Sequence, residues 1–230
     1  MNQKALLIGN SDGIGLATTN ELLKRGWMIH GISRSESPIM NPCYEHWIGE
    51  VQRTDFSKKL SEMLKKSGSI DLCIYFAGIG ELLDFSNMEN EIKIFEVNLI
   101  GLVKTVCRVI PMMVSEGKGH FMGISSVADQ LLSPEAPSYH ASKAGFSNYL
   151  EGLALALKPK SVHVTNIRFG FVDTKMAKGA KKPLMMEVEQ AVQHLLRCIE
   201  KKPLRYTAPR TIIPLVKFRD WMLRSKMIAL

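Results

Sequence analysis

The sequence predicts an α/β fold: a Rossmann-type doubly wound parallel sheet of seven strands with helices on both faces. Three observations carry that expectation. Short apolar runs alternate with stretches of helical period along the chain, the order that builds a parallel sheet with crossover helices. One run, Leu72–Phe76, is apolar throughout, as a strand covered on both faces should be. A glycine-rich turn, Gly9 to Gly15, follows the first run directly. It stands where such folds bind ligands, at the carboxyl end of a strand.

The elements follow in order. Ala5–Ile8 is the first strand, and the helix after the glycine turn reaches about Arg25. Trp27–Ile32 is the second strand and ends at Ser33-Arg34-Ser35; Glu45–Gly49 is the third. Phe56, Leu60, Met63 and Leu64 give Asp55–Lys66 a helical period. After Leu72–Phe76 come a long helix around Glu89–Ser115, a strand at His120–Ser125 and a helix from about Ser138 to Leu157. Val162–Phe169 is the next strand, Lys175–Lys182 a polar lysine-rich stretch, and Glu187–Lys201 a further helix. Leu204–Ala208 fits a last strand, Pro209 breaks it, and the chain after Pro214 reads as helical. The expected organisation is one domain over 1–208, holding the nucleotide and substrate sites, and a helical extension over 209–230.

Composition narrows the function classes. With 46% hydrophobic and 23% charged residues and a mean hydropathy near zero, the chain is neither disordered nor a multi-span membrane protein. Its net charge of +8 is unevenly spread. Residues 1–200 carry 22 basic and 21 acidic side chains; residues 201–230 carry eight basic ones and only Asp220. A nucleic-acid surface spread over the fold is therefore not expected. The four cysteines form no C-x-x-C pair, and the six histidines show no metal-ligand spacing. Neither a disulfide framework nor a metal site is expected. The N-terminal apolar run is too short for a signal sequence, and a cytoplasmic location is expected.

The residues after each strand make a coherent site. In Gly9-Asn10-Ser11-Asp12-Gly13-Ile14-Gly15, glycine permits the tight turn and lets backbone N–H groups approach a pyrophosphate. After the second strand, Ser33, Arg34 and Ser35 stand where a carboxylate would select NAD. Arg34 suits the 2′-phosphate of NADP. NADP(H) is favoured, NAD(H) stays open, and Asp12 counts against the phosphate. Tyr139 and Lys143 lie one helical turn apart. A phenol is a poor acid at neutral pH until an ammonium stabilises its phenolate.

Ser125-Ser126 closes the fifth strand, Ser126 lies thirteen residues before Tyr139, and Asn98 sits in the preceding long helix. With Gly9-x-x-x-Gly13-Ile14-Gly15, Ala77-Gly78, Val97-Asn98, Tyr139-x-x-x-Lys143 and the Gly170–Thr174 segment, the chain resembles the single-domain short-chain dehydrogenase/reductase family over about residues 4–200. The resemblance implies that Tyr139 is the general acid or base, Lys143 its electrostatic partner and a ribose ligand, Ser126 the group orienting the carbonyl, and Asn98 the anchor of a proton-relay water. It also implies that Glu50 and Val51 meet the adenine and that Ala77 and Gly78 run past the adenosine. Gly170, Val172 and Thr174 would lie at the nicotinamide and phosphates. Assembly as a homodimer or homotetramer, through the helices holding Asn98 and Tyr139, belongs to the same implication. Four positions depart from the family pattern: Ile8 for Thr, Tyr75-Phe76 for Asn-Asn, Phe169 for Pro, and Asp129 for a small residue.

Substrate specificity is expected between the sixth strand and the next helix, where Lys175, Lys178, Lys181 and Lys182 mix with Met176, Met185 and Met186. The tail departs most. Leu215, Phe218, Trp221, Met222 and Ile228 share one arc of a helix, Lys217, Asp220 and Arg224 lie opposite, and Arg219 and Lys226 bracket the arc. Such a helix suits packing on the body or a second subunit, or an anionic membrane surface. The leading expectation is NADP-dependent interconversion of a small-molecule carbonyl and alcohol. The alternatives are a non-catalytic NADP(H)-sensing protein on the same fold and a membrane-surface reductase of lipid-like substrates.

Overall fold

The structure, a computed structural model, describes residues 2–177 and 184–228, with side chains through Ser225. Seven parallel strands form one sheet: β1 (Lys4–Ile8), β2 (Met28–Ser33), β3 (Tyr44–Ile48), β4 (Leu72–Tyr75), β5 (His120–Ser126), β6 (His163–Phe169) and β7 (Arg205–Ala208). Their spatial order is β3-β2-β1-β4-β5-β6-β7, so the strand order reverses between β1 and β4. The expected doubly wound sheet is the one observed.

Strand alternation divides the interior in two. Leu6, Ile8, Cys73, Tyr75 and Phe121 face α2 (Phe56–Ser67), α4 (Gly101–Glu116) and α5 (Pro137–Leu157). Ala5, Leu7, Leu72, Ile74 and Met122 face the opposite side, covered by α1 (Gly13–Lys24) and α6 (Val188–Lys201). Both sides of β1 and β4 are thus dry, which is why these strands read as unbroken apolar runs. At Gly123 of β5 an added Cβ would come 2.5 Å from Leu150 and 2.8 Å from Phe146. The missing side chain lets α5 lie directly on the sheet, and α5 carries Tyr139 and Lys143.

The long helix expected around Glu89–Ser115 is three pieces. α3 (Glu89–Phe95) leads through a π-helical turn, Glu96–Ile100, into α4. Apolar periodicity does not register one widened turn. Tyr75, one of the departures from the family pattern, donates its hydroxyl to the Val97 carbonyl at 2.6 Å inside that turn. By length and composition Glu89–Glu116 is apolar enough to cross a membrane, but half of its most apolar window is buried in the fold. It is a core helix.

The carboxyl end of β5 runs into a 3-10 turn, Val127–Gln130, which α7 (Ile213–Ile228) covers. Within the turn, Asp129 makes a two-pronged pair with Arg168 of β6, Nε to Oδ2 and Nη2 to Oδ1 both at 2.7 Å, and accepts from Ser147 of α5 at 2.6 Å. Both side chains of the pair are about 95% buried. Such a pair does little for net stability when intact, and breaking it strands a charge in the interior. Asp129→Ala should therefore lower unfolding free energy by about 3–5 kcal/mol, read as a fall in the urea midpoint at unchanged slope. A loss below about 1 kcal/mol would mean that Arg168 has other partners.

Candidate active site

Five segments meet at the β1–β4 reversal and the neighbouring β5 end. Gly9 leaves β1 at φ +83°, a region open to glycine. A Cβ there would sit 2.7 Å from the Ala77 nitrogen, so the two lips of the crevice touch as bare backbone. Asp12 caps α1 by accepting from Gly13 N–H at 2.7 Å. It also pairs with Lys175 at 2.8 Å. The Lys175 ammonium, aided by the Gly13 N–H and more weakly by Arg34, holds the Asp12 carboxyl below its ordinary range. Thr174 lies against Gly13, its methyl 3.4 Å from where a Cβ would stand.

Not every residue singled out turns its side chain to the crevice. Asn10 is fully buried; its amide donates to Thr19 and to the Tyr44 hydroxyl, and its backbone N–H donates to Ser33 Oγ at 2.8 Å. Ser33 returns the bond to Asn10 Oδ1 at 3.1 Å. These two lock the ends of β1 and β2 together, while Arg34 and Ser35 stand exposed beyond them. Val51 is buried beside Tyr75 and Gly101 in the core, and the exposed Glu50 accepts from Gln52. Ser11 is half-buried at the turn. Ile14 packs into the α1–α6 core, and Gly15 leaves room for the Gly9 carbonyl, which a Cβ would approach to 2.5 Å. Gly170 packs under Ile212 and Pro209, at the root of the tail. Val172 is buried and bridges to Met186, so Met186 is core, whereas Met176 reaches the crevice near Gly78. Lys178, Lys181 and Lys182 lie outside the described residues.

The proton-transfer candidates converge. Asn98 is fully buried in the π-helical turn. Its side chain binds both backbone groups of Ile79, accepting from N–H at 2.8 Å and donating to the carbonyl at 2.9 Å, and donates to Ser142 at 3.0 Å. The segment after Ala77-Gly78 is thereby fixed over α5. A Cβ on Gly78 would stand 3.5 Å from Asn98 Oδ1 and 3.6 Å from Lys143 Nζ, so this glycine keeps a cradle open beside both. One on Gly80 would meet the Tyr139 ring at 3.1 Å. Burial raises the Tyr139 phenol above its ordinary pKa, and a hydrogen bond with Ser126 works against that rise. Ser126 also accepts from Ala128 N–H at 3.1 Å, which fixes its rotamer.

Lys143 is 5% exposed. Its ammonium donates to the Ile124 carbonyl at 2.9 Å and lies 4.8 Å from the Phe146 ring centre and 6.0 Å from that of Tyr139. Burial pushes it down to about 8, against the opposing field of Asp129. Asp129 reaches Lys143 also through contacts: Ser147 bonds Asp129 and Ser125, and Ser125 donates to the Lys143 carbonyl at 3.4 Å. The sequence reading did not single out Ser142 or Ser147, noted Asp129 only as a departure from the family pattern, and placed Lys175 in the substrate segment without its partner Asp12. A carboxylate in place of a small residue was the available signal for Asp129, but nothing in the linear chain names Arg168 as its partner.

The bare-backbone lips, the helix N-terminus behind them and the open cradle at Gly78 fit a dinucleotide. Comparison with known proteins agrees. The family described as short chain dehydrogenase matches residues 3–184. An uncharacterised oxidoreductase of Myxococcus xanthus is 28% identical over 203 residues, covering 82% of this chain and 80% of that protein. The very-long-chain 3-oxoacyl-CoA reductase of Rattus norvegicus is 28% identical over 199 residues, 80% of this chain but 64% of the longer rat protein. A short-chain dehydrogenase from Burkholderia cenocepacia, solved in complex with NADP, superposes with a TM-score of 0.85 at 22% identity, covering 94% of this chain and 92% of that one.

Lys143 binds its proton less readily when folded, at about 8, than in an unfolded chain, at 10.5. Its contribution is therefore unfavourable below pH 8 and is relieved as pH rises between the two values. Urea unfolding of wild type and Lys143→Met should diverge accordingly: from neutral pH to about pH 9.5, wild type gains stability relative to the variant. Parallel pH dependences would show that the ammonium is solvated.

Proposed function

The chain belongs to the short-chain dehydrogenase family and is an NAD(P)-dependent oxidoreductase, and from that premise we propose that it interconverts a carbonyl and an alcohol using NADP(H), with Tyr139 as general acid and base. The observation that carries this reading is the meeting of Ser126, Tyr139 and Lys143 beside the Gly78 cradle. When bound, the dinucleotide supplies or accepts hydride at its nicotinamide C4. The protein does the rest. Ser126 hydrogen-bonds the substrate oxygen, Tyr139 delivers a proton to it during reduction, and the Lys143 ammonium stabilises the phenolate left behind. Asn98 fixes Ile79 and supports the proton path, and Lys143 also serves the ribose.

The Gly9–Gly15 turn would hold the phosphates, Ala77, against Gly9, would flank the adenosine side, and Gly78, beside Lys143 and Asn98, would border the reacting end instead of the adenosine. Glu50 and the backbone at Val51 serve the adenine, and Val172 and Thr174 the nicotinamide end. Two features support NADP over NAD. Arg34 is exposed beyond β2 with no carboxylate at that position. Asp12, which would repel a phosphate, is neutralised by Lys175. The exposed apolar side chains Ile92 and Phe95 of α3, Ile100 of the π-helical turn and Leu155 of α5 support a homo-oligomer. The four free cysteines suit the cytoplasm. A second reading, a membrane-surface reductase of lipid-like substrates, draws support from the exposed apolar side of α7.

Tyr139→Phe keeps the ring and removes the proton. Turnover of NADPH across a panel of aldehydes and ketones should fall about 10²–10⁴-fold with cofactor binding intact; turnover that survived would overturn the role. Arg34→Ala should weaken NADPH binding about 10- to 100-fold, the value of one charge-assisted contact, and leave NADH nearly unchanged. Fluorescence titration with both cofactors reads the difference, and equal losses would point to NAD.

A further inference from the structure

α7 is apolar on two sides, and only one is used. Ile212 and Val216 are buried against Val127 and Leu131. Asp220 Oδ1 accepts from Leu132 N–H at 3.3 Å, and its other oxygen holds Arg224 at 2.7 Å. The stripe against the body is therefore Ile212, Val216 and Asp220. The apolar arc read from the sequence, left open between the body, a second subunit and a membrane, points away from the body: Leu215, Phe218, Trp221 and Met222 are 42–64% exposed, and Phe218 and Trp221 stack with ring centres 6.1 Å apart. The side chains of Lys226 and Ile228 lie outside the described residues.

Charges frame that arc. Lys217 and Arg224, read from the sequence as opposite the arc, fall nearer one of its margins at 100° per residue, with Arg219 along the other, and all three are exposed. On the Lys217 margin an open groove of about 490 Å³ is lined by Gln130, Lys217, Asp220, Trp221, Arg224 and Ser225. In that groove Arg224 is paired with Asp220, so it is Lys217 beside the Trp221 ring that suits an anionic headgroup.

We propose that this outward side of α7 docks the protein on an anionic membrane, with Phe218, Trp221, Leu215 and Met222 in the interface and Lys217, Arg219 and Arg224 at headgroup level. The inference deepens the lipid-surface reading and rests on it only for substrate class. Charge favours one occupant. A second copy of α7 would set Lys217 against the same basic margin, where Arg219 and Arg224 are already matched by Glu135 and Asp220 of their own chain. A bilayer bearing anionic lipid offers an apolar layer under a negative surface, matching the helix in both respects. Docking would also bear on the site. α7 is fastened to the segment between Ser126 and Tyr139 through Leu132 and through the Arg219–Glu135 contact at 3.7 Å. The Glu135 carbonyl in turn accepts from Leu83, whose neighbours Leu82 and Phe85 are exposed.

Sedimentation of the 230-residue chain with vesicles tests the proposal without reference to turnover. Wild type should pellet with vesicles containing about 30% phosphatidylglycerol and remain in solution with pure phosphatidylcholine, with binding reduced by high salt. Phe218→Ser with Trp221→Ser, on exposed positions, should weaken partitioning at least about tenfold while leaving NADPH binding unchanged. Tyr139→Phe should lose turnover and still pellet, so a failed catalytic assignment and a failed docking surface give different results. Wild type that stays in solution with anionic vesicles overturns the proposal. So does a double serine variant that pellets like wild type, or one whose only change is a smaller particle mass by light scattering, which would identify a second copy as the occupant.

Discussion

The constraint on which the site depends is a lysine ammonium kept out of water. Lys143 has one strong acceptor, the Ile124 carbonyl, and otherwise faces aromatic rings. Burying a charge with so little compensation is costly, and the surrounding structure is arranged around that cost. Gly123 brings α5 down until Lys143 reaches the end of β5. The Ser125–Ser147 bond braces the two elements, and Asp129 adds a negative field nearby. Asp129 is itself held by Arg168, so the neutral pair stiffens the region without fully cancelling the lysine. The outcome is an ammonium close to its titration point beside a phenol that burial makes reluctant to ionise.

Much of this was legible because it is periodic or punctuated. Leu72–Phe76 announced a strand dry on both faces, and the Gly9–Gly15 turn announced the crevice. Tyr139 and Lys143, four apart on a helix, announced a phenol and an ammonium on one helix face, and the two do lie together. What escaped the sequence is long-range. The π-helical turn depends on Tyr75, twenty-two residues away, reaching the Val97 carbonyl, and a period count spreads one widened turn over its neighbours. Asn10 and Ser33 have the chemistry of ligands, yet their side chains are committed to each other. Asp129 looked like a local oddity until β6 supplied its guanidinium.

The tail is instructive in another way. A helix with one apolar side declares its orientation from sequence, but α7 carries two. The richer side, with Phe218 and Trp221, fitted body, second subunit and membrane alike, whereas the body takes Val216 and Asp220 of the helix and Ile212 just before it. A carboxylate serves there because it satisfies the Leu132 N–H on the loop below. The side that packs combines two apolar contacts with a hydrogen bond to a loop N–H, and the helix sequence does not contain that loop.

The strand order has a kinetic consequence. Every pairing in the sheet joins strands consecutive in the chain, except β1 with β4. In that pairing Ala5 meets Leu72 and Ile8 meets Tyr75. Two blocks, β1–β3 and β4–β7, are thus each assembled from local crossovers, and the largest loop-closure entropy falls on the seam between them. That seam is also where Gly9 abuts Ala77. A ligand bound across that seam would join the two blocks, and its binding free energy would add to the pairing that is costliest for the folding chain to close.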